Sequence, residues 1–271
     1  MKYDIRTKQS TMLFIEDFFG VTEDDIYYSD FFDLEKSPEE FFYENIEKIK
    51  KVDISNINLY GFHIQGSLDK CADIKRCGIM NLHEVLKSEN SVSKFLKDNN
   101  IEILVDNKCL KYKGMPYSLD FEKYRYDMIV TDEEKALSRL AYRICKDYNV
   151  NGFFVNNKVK EYGEDVYICP EFITDLSRAI PEAAKIRDLW IDHAQSYKIN
   201  FRVTLEQIDP ITFGMNSGEK IVNNEMKVKK WMIITAWNIL FNNSTFNNDI
   251  IYLKKDFVLP KEQIIMIEEI N

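Results

Sequence analysis

The sequence predicts an α+β protein, and three observations lead to that class. The chain has 271 residues, of which 45% are hydrophobic, and this is enough to bury one large core or two smaller ones. Segments with helical periodicity and segments with strand alternation follow one another irregularly and include a hairpin. Such an order favours split mixed sheets over a doubly wound parallel sheet. We expect a split-sheet domain over residues 52–271 after a helical, acidic and aromatic extension over residues 1–51.

Composition narrows the class of protein further. The formal net charge of -9 disfavours a long nucleic-acid groove, because phosphate binding needs clustered Lys and Arg. The five cysteines are scattered and lack zinc-ligand spacing, so we expect buried thiols in a reducing compartment and no metal site. Apolar runs such as Trp231–Phe241 are shorter than the roughly 20 residues that span a bilayer, and the first residues lack a signal peptide's apolar core. We therefore expect a cytoplasmic protein outside the membrane.

The first helix with a clear start signal begins at Ser37. Ser37 is a suitable N-cap, Pro38 suits the first helical position, and Glu40 completes a capping box. The following apolar residues recur at helical spacing: Phe41, Phe42, Ile46 and Ile49. Aromatic residues between carboxylates, including Phe31 and Phe32, characterise this whole region. They indicate a face packed on the body of the protein, or alternatively a surface that binds a partner.

The next segment has the composition of a buried strand and carries one of the three histidines. Residues 56–64 are rich in apolar side chains, and Gly61 permits close approach of another backbone. Gly66-Ser67 suggests a tight connection to a short helix that Gly78 ends, since glycine is common just after helices. If the chain has a chemical site, we expect it near His63.

The middle of the chain predicts a hairpin and then a long helix. Residues 101–105 and 109–113 flank a polar turn, so we expect a β-hairpin insertion near residues 101–119. Thr131 and Glu134 form a capping box that opens an amphipathic helix. Asn151-Gly152 is expected to end that helix, before a strand at residues 153–155.

The last third alternates between strands and helices. We predict a strand over Val166–Cys169, then a helix from Glu171 to Ile180 whose start Pro170 suits, and another helix from Pro181. The remaining elements are a strand at residues 199–205, an amphipathic helix at residues 225–241 and two closing strands between residues 249 and 270.

Several common catalytic motifs are missing from the sequence. There is no glycine-rich phosphate loop, so P-loop and Rossmann nucleotide sites are excluded. There is also no Gly-x-Ser-x-Gly elbow and no His-Glu-x-x-His helix, which excludes the corresponding hydrolases and zinc proteases.

Three separated segments resemble, in outline, the pattern of the ADP-ribosyltransferase superfamily. They are His63 on its strand before the helix ending at Gly78, Val166-Tyr-Ile-Cys-Pro170, and Asn248-Asp-Ile-Ile-Tyr-Leu253 followed by Leu259-Pro260. In that family the first segment carries a His or Arg, the second a Tyr or Ser, and the third a catalytic Glu. The resemblance implies a split-sheet core, NAD as cofactor, and transfer of ADP-ribose to a protein or nucleic-acid acceptor.

The resemblance also implies roles for individual residues. His63 would orient the ribose of NAD, Tyr167 would stack on the nicotinamide, and Asp249 would supply the carboxylate. Gln65 stands where the family usually has Thr, and Asp249 is one methylene shorter than the usual Glu, which draws the carboxylate back by about 1.5 Å. Other carboxylates that could serve are Glu171, Glu206 and Glu225. The cations that could meet the pyrophosphate are Lys70, Lys75 and Arg76.

Each of these assignments has a structural alternative. His63 could be a hydrogen-bonded core residue, Tyr167 a packing aromatic and Asp249 a turn residue. The departures at Gln65 and Asp249 favour a second hypothesis, in which a phage or mobile-element protein keeps the fold without the activity and uses the acidic, aromatic N-terminal region to bind and inhibit a host protein. An acidic mimic of nucleic acid is a third hypothesis, which the many interspersed lysines disfavour.

Overall fold

The computed structural model describes residues 1–28, 36–124, 131–155, 165–216, 218–241 and 250–270. Helices and strands both contribute, so the predicted α+β class is confirmed. The chain folds into two compact units. Unit 1 comprises Met1–His63, Asn151–Asn157 and Asn200–Lys254, whereas unit 2 comprises Ile64–Val150, Lys158–Ile199 and Lys255–Asn271. The predicted boundary between an extension and a domain at residue 51 stays a prediction.

The regular elements of the described residues follow one another in this order along the chain. The helices are α1 (Lys8–Phe19), α2 (Glu23–Tyr28), α3 (Pro38–Glu44), α4 (Ile46–Lys51), α5 (Ala72–Cys77), α6 (Leu82–Lys87), α7 (Ser91–Asp98), α8 (Asp132–Cys145), α9 (Glu171–Ala179), α10 (Ile186–His193) and α11 (Glu225–Phe241). The strands are β1 (Lys2–Tyr3), β2 (Asn58–Ser67), β3 (Ile101–Leu104), β4 (Cys109–Tyr112), β5 (Met115–Ser118), β6 (Asn151–Phe153), β7 (Gln195–Thr204), β8 (Ile250–Tyr252) and β9 (Ile264–Glu269). Two of the strands, β2 and β7, contribute residues to both units.

In unit 1 the strand order is β8-β6-β2-β7, and β1 also pairs in parallel with β2. Phe62 of β2 lies opposite Phe153 of the antiparallel strand β6. Glycines make this packing possible: a Cβ atom on Gly152 would lie 2.7 Å from the ring of Phe201. Any larger residue at that position would push the ring away from the sheet.

The N-terminal segment supplies part of the core of unit 1. The Tyr3 ring lies edge-on to Phe14 and Phe154, at centroid distances of 4.9 and 5.6 Å. The predicted helix at Ser37 is confirmed with its capping box, although Asn45 divides it into α3 and α4. Phe41 and Phe42 are buried, in agreement with an inward aromatic face. Phe31 and Phe32 lie outside the described residues.

In unit 2 the strands pair in the order β2-β7-β9, and β3, β4 and β5 form a separate antiparallel sheet. The predicted hairpin at residues 101–113 is confirmed, and Gly114 leads into its third strand. Helices α8 and α9 pack together over a core that includes Leu140, Ile144, Leu176 and Trp190. The capping box at Thr131 is present as predicted.

Three local predictions are wrong. The segment Val166–Cys169 is a turn and not a strand, because the amides of Ile168 and Cys169 both donate to the carbonyl of Asp165. The strand β2 continues through Ser67, so Gly66-Ser67 is no tight connection. Helix α8 ends at Cys145, and Asn151-Gly152 belongs to β6. In each case a short local pattern suits two structures, and tertiary pairing decides between them.

Two glycines of unit 2 bring distant segments into contact. A Cβ atom on Gly66 would lie 1.7 Å from the carbonyl oxygen of Ile168, so the turn before α9 packs directly on the backbone of β2. Gly78 ends α5 with φ of +83°, and a Cβ atom there would lie 2.0 Å from the carbonyl oxygen of Leu259. Ile79 and Leu259 exchange two backbone hydrogen bonds of 2.9 Å.

We expect Gly66→Ala to lower the free energy of unfolding by about 3 kcal/mol, because the new methyl group would overlap a main-chain carbonyl that cannot rotate away. Gly114→Ala is the control, since no atom lies within 4 Å of the position that its methyl group would take and only its positive φ of +83° opposes the change. That backbone strain costs about 1 kcal/mol. Urea unfolding of both variants measures the difference, and equal losses would contradict the close packing at Gly66.

Candidate functional site

His63 is half-buried on β2 and belongs to unit 1. Its Nδ1 atom lies 2.7 Å from the main-chain carbonyl oxygen of Asn151. A carbonyl oxygen can only accept, so Nδ1 must carry the hydrogen, and in the neutral ring Nε2 is then the acceptor nitrogen. The imidazole therefore has a fixed tautomer.

Gln65 lies two residues further along the same strand. It belongs to unit 2, whereas His63 belongs to unit 1. The Gln65 side chain is half-buried, whereas Ile64 is buried. The Gln65 amide can both donate and accept hydrogen bonds.

The loop after β2 has an unusual backbone. Lys70 and Cys71 both have positive φ, 56° and 61°, a conformation that costs roughly 1 kcal/mol or more for a non-glycine residue. The Ser67 hydroxyl supports the loop by donating to Asp69 and accepting from the Cys71 amide, at 2.7 and 2.8 Å. Burial raises the pKa of the Cys71 thiol to about 11, so this cysteine stays protonated and is a poor nucleophile.

Asp73 anchors the same loop to the start of α7. Its carboxylate accepts from the Ser91 amide at 2.7 Å and from the Arg76 guanidinium at 2.5 Å. Burial would raise the pKa of Asp73, but these donors, together with Asp69, lower it to about 2. The Arg76 guanidinium therefore already binds a carboxylate of the protein. The other two predicted pyrophosphate contacts, Lys70 and Lys75, are exposed.

Tyr167 lies in the turn that packs on Gly66, within unit 2. The side chain is half-buried. The carbonyl of the next residue, Ile168, accepts from the Trp190 indole at 2.9 Å, which fixes the turn against α10. The structure thus brings the segment of Tyr167 to the end of β2 that carries Gln65 and Ser67.

The predicted carboxylates have different surroundings. Glu171 forms a two-point ion pair with Arg143, with both distances 2.8 Å, and Arg143 also donates to the buried Asp175. Glu206 is exposed on a short 3-10 turn of unit 1. Glu225 pairs with the buried Lys229 at 2.7 Å. Asp249 lies outside the described residues.

A further polar group in unit 2 went unnoticed in the sequence. The Tyr197 hydroxyl donates to the Gln195 side chain at 3.0 Å, and Gln195 donates to Glu269 at 3.3 Å. Burial raises the pKa of Tyr197, with further contributions from Glu269, Cys71 and Asp69. In the sequence, the only signal for these hydrogen bonds is the acidic pair Glu268-Glu269 at the end of the apolar strand β9. That pair does not reveal that Gln195 of β7 is the partner of Glu269.

No protein family, curated protein or solved structure matches the chain. Among the described residues, no group of three or more His, Cys, Asp or Glu side chains could hold a metal ion. No helix in the described part of the chain is long and apolar enough to cross a membrane.

We expect Asp73→Asn to reduce the stability of the protein at pH 7 by about 1–2 kcal/mol, since the charged hydrogen bond to Arg76 is lost. The native pKa of Asp73 is depressed to about 2 from 3.8. Its contribution to stability is therefore present above about pH 4 and is lost as the pH falls towards 2. Thermal melts between pH 2 and 7 should show a flatter acid limb in this variant.

Asp192→Asn is the control for that experiment, because Asp192 is an exposed carboxylate on α10. It should keep the wild-type dependence on pH. An acid limb of unchanged slope in Asp73→Asn would show that other carboxylates govern acid unfolding.

Proposed function

We propose that the protein is an NAD-dependent ADP-ribosyltransferase-like enzyme that modifies a protein or nucleic-acid acceptor. The observation that carries this proposal lies in unit 2. The turn with Tyr167 packs on Gly66 of β2, and Leu259 pairs with Ile79 directly after α5. One distant segment thus contacts β2 and another contacts the residue that follows α5, and these contacts support a core of the ADP-ribosyltransferase-like type.

The chemistry of the β2 side chains suits a bound nucleotide. An imidazole with its hydrogen on Nδ1 offers Nε2 to a ribose hydroxyl. Gln65 would bind a second hydroxyl or the carboxamide of nicotinamide. Tyr167 would supply an aromatic surface for the nicotinamide ring, and Lys70 a cation for the pyrophosphate.

The reaction also needs a carboxylate near the ribose. When bound, NAD supplies an activated glycosidic bond, and a carboxylate stabilises the positive charge that develops on the ribose as nicotinamide leaves. Asp249 takes this role by the resemblance. Glu171 is less suitable because Arg143 already binds both of its oxygens. Glu206 is accessible, and Glu269, held by Gln195, is an additional candidate.

We expect saturable binding of NAD to the wild-type protein and at least about tenfold weaker binding to His63→Ala, because the ribose loses its acceptor. Isothermal titration with NAD up to about 1 mM, the upper range of common substrate affinities, measures both. His193→Ala is the matched control, since His193 is an exposed histidine at the end of α10. Wild-type protein that binds no NAD would refute the proposed function.

We also expect Asp249→Asn to bind NAD with little change but to release nicotinamide at least about a hundredfold more slowly, since an amide cannot stabilise the developing charge. Chromatographic detection of nicotinamide measures the rate. The variants Glu171→Gln, Glu206→Gln and Glu269→Gln are run in parallel. A loss confined to one of them would reassign the catalytic carboxylate to that residue.

A second proposal is a phage or mobile-element protein that binds and inhibits a host protein without catalysis. One observation favours it: Leu13 of α1 and Tyr43 of α3 are 60% and 58% exposed, whereas the nearby Phe14, Phe41 and Phe42 are buried. Exposed large apolar residues are common at binding surfaces. This proposal becomes the stronger one if NAD binding is absent.

A further inference from the structure

A hydrogen-bonded chain of three side chains lies at one end of the sheet in unit 2. The Tyr197 hydroxyl donates to Gln195 at 3.0 Å, and the Gln195 amide donates to Glu269 at 3.3 Å. An ionised carboxylate can only accept, so Gln195 must present its NH2 group to Glu269 and its oxygen to Tyr197. Tyr197 is 6% exposed, whereas Glu269 is exposed. A buried phenol thus fixes the orientation of an amide, and the amide holds a surface carboxylate.

No cation neutralises Glu269 within the described part of the chain. Among the described residues, Gln195 is the only hydrogen-bond partner of its side chain, and no lysine or arginine forms an ion pair with it. Lys198 follows Tyr197 directly on β7, so its side chain points to the opposite face of that strand. Lys261 precedes the other end of β9. Glu269 therefore keeps its negative charge and the acceptor capacity of its second oxygen.

This hydrogen-bonded chain lies beside the loop that follows β2. Strand β7 lies between β2 and β9, so Glu269 on β9 is two strand spacings, or about 10 Å, from β2. Burial raises the pKa of Tyr197, and neighbouring acidic groups, Asp69 and Cys71 among them, raise it further. Such effects decrease with distance, so the loop that carries Asp69 and Cys71 lies close to the Tyr197 hydroxyl. Lys70, which the proposed function assigns to the pyrophosphate, belongs to the same loop.

An exposed carboxylate that is held in place can accept hydrogen bonds from a ribose and repel a phosphate. In many dinucleotide sites an acidic residue binds the ribose 2′-hydroxyl of NAD, whereas NADP carries a phosphate at that position. A dinucleotide whose pyrophosphate lies at Lys70 has one ribose on each side of that residue. The proposed function assigns His63 to the nicotinamide ribose, which leaves the adenosine ribose for Glu269.

We propose that Glu269 binds the ribose of the adenosine half of NAD and excludes NADP, and that Gln195 and Tyr197 are positioning residues for this carboxylate. This inference rests on the proposed function, because it names the dinucleotide that the same site accepts. Glu269 would repel the 2′-phosphate of NADP, since no cation of the described residues is paired with it. Without the Tyr197 hydroxyl, the Gln195 amide would be free to rotate and Glu269 would be held less well.

Isothermal titration with NAD and with NADP tests the role of Glu269. We expect the wild type to bind NAD at least about tenfold more tightly than NADP. In Glu269→Gln the affinity for NAD should fall at least about fivefold while the affinity for NADP does not fall, so most of the preference is lost. Glu268→Gln is the matched control, because it removes the same charge from the adjacent residue, whose side chain points to the opposite face of β9. It should keep the wild-type preference.

Tyr197→Phe tests the positioning role. It keeps the buried ring but removes the donor to Gln195, so the affinity for NAD should fall about threefold or more. The double variant with Glu269→Gln should bind NAD no more weakly than Glu269→Gln alone, since the hydroxyl acts through the carboxylate. Tyr112→Phe is the control, because it removes a phenol that donates elsewhere in unit 2, to the Glu182 carbonyl at 2.8 Å. Additive losses in the double variant would show that Tyr197 does not act through Glu269.

The outcomes separate this inference from the proposed function. A wild type that binds neither dinucleotide refutes the proposed function and this inference with it. A wild type that binds NAD and NADP equally, or a preference that survives Glu269→Gln, refutes the inference alone. Equal losses of preference in Glu268→Gln and Glu269→Gln would assign the discrimination to net charge and would also overturn the role of Glu269.

Discussion

The constraint on which the rest of the structure depends is close backbone approach at glycines. Gly66 leaves no room for a side chain, because the Ile168 carbonyl occupies the space that a Cβ atom would need. In unit 1, Gly61 similarly leaves space for the side chain of Ile251 on the strand β8. These contacts determine where later segments of the chain can pack against β2. They therefore also determine which side chains of unit 1 lie near His63 and which side chains of unit 2 lie near Gln65. A strand with side chains at both positions would require a different packing.

Charged hydrogen bonds provide a second connection in unit 2, between helices α8 and α9. Asp175 on α9 is almost completely buried and accepts from both Arg139 and Arg143 of α8, each at 2.9 Å. A buried carboxylate is stable only when its oxygens are bonded. Glu171 extends the same network to the surface. This arrangement fixes the register of two helices whose apolar contacts alone would allow sliding, and it explains why a carboxylate that the sequence offers as a catalytic candidate has a structural partner.

The sequence predicted those elements whose signals are local. The capping boxes at Ser37 and Thr131 and the helix Glu225–Phe241 needed only neighbouring residues, and all three are present, although the buried residues of that helix do not form the predicted single stripe. The segment Val166–Cys169 was misassigned because an apolar run before a proline suits a strand as well as a buried turn. The sequence could predict single residues of the candidate site but not their hydrogen-bond partners. His63 bonds to a main-chain carbonyl, a group that every residue has, and Glu269 bonds to a glutamine far away in sequence, so neither partner could be identified beforehand.

The discontinuity of unit 1 has a consequence for how the protein is made. The Tyr3 hydroxyl donates to the carbonyl of Met232, a residue translated 229 positions later. The first 63 residues therefore emerge from the ribosome long before the helix and strands that cover their aromatic side chains. Until residues 200–254 follow, these side chains remain open to chaperones, proteases and other nascent chains. Unit 1 can close only after residues 200–254 have been synthesised, and such reliance on contacts between distant segments slows folding.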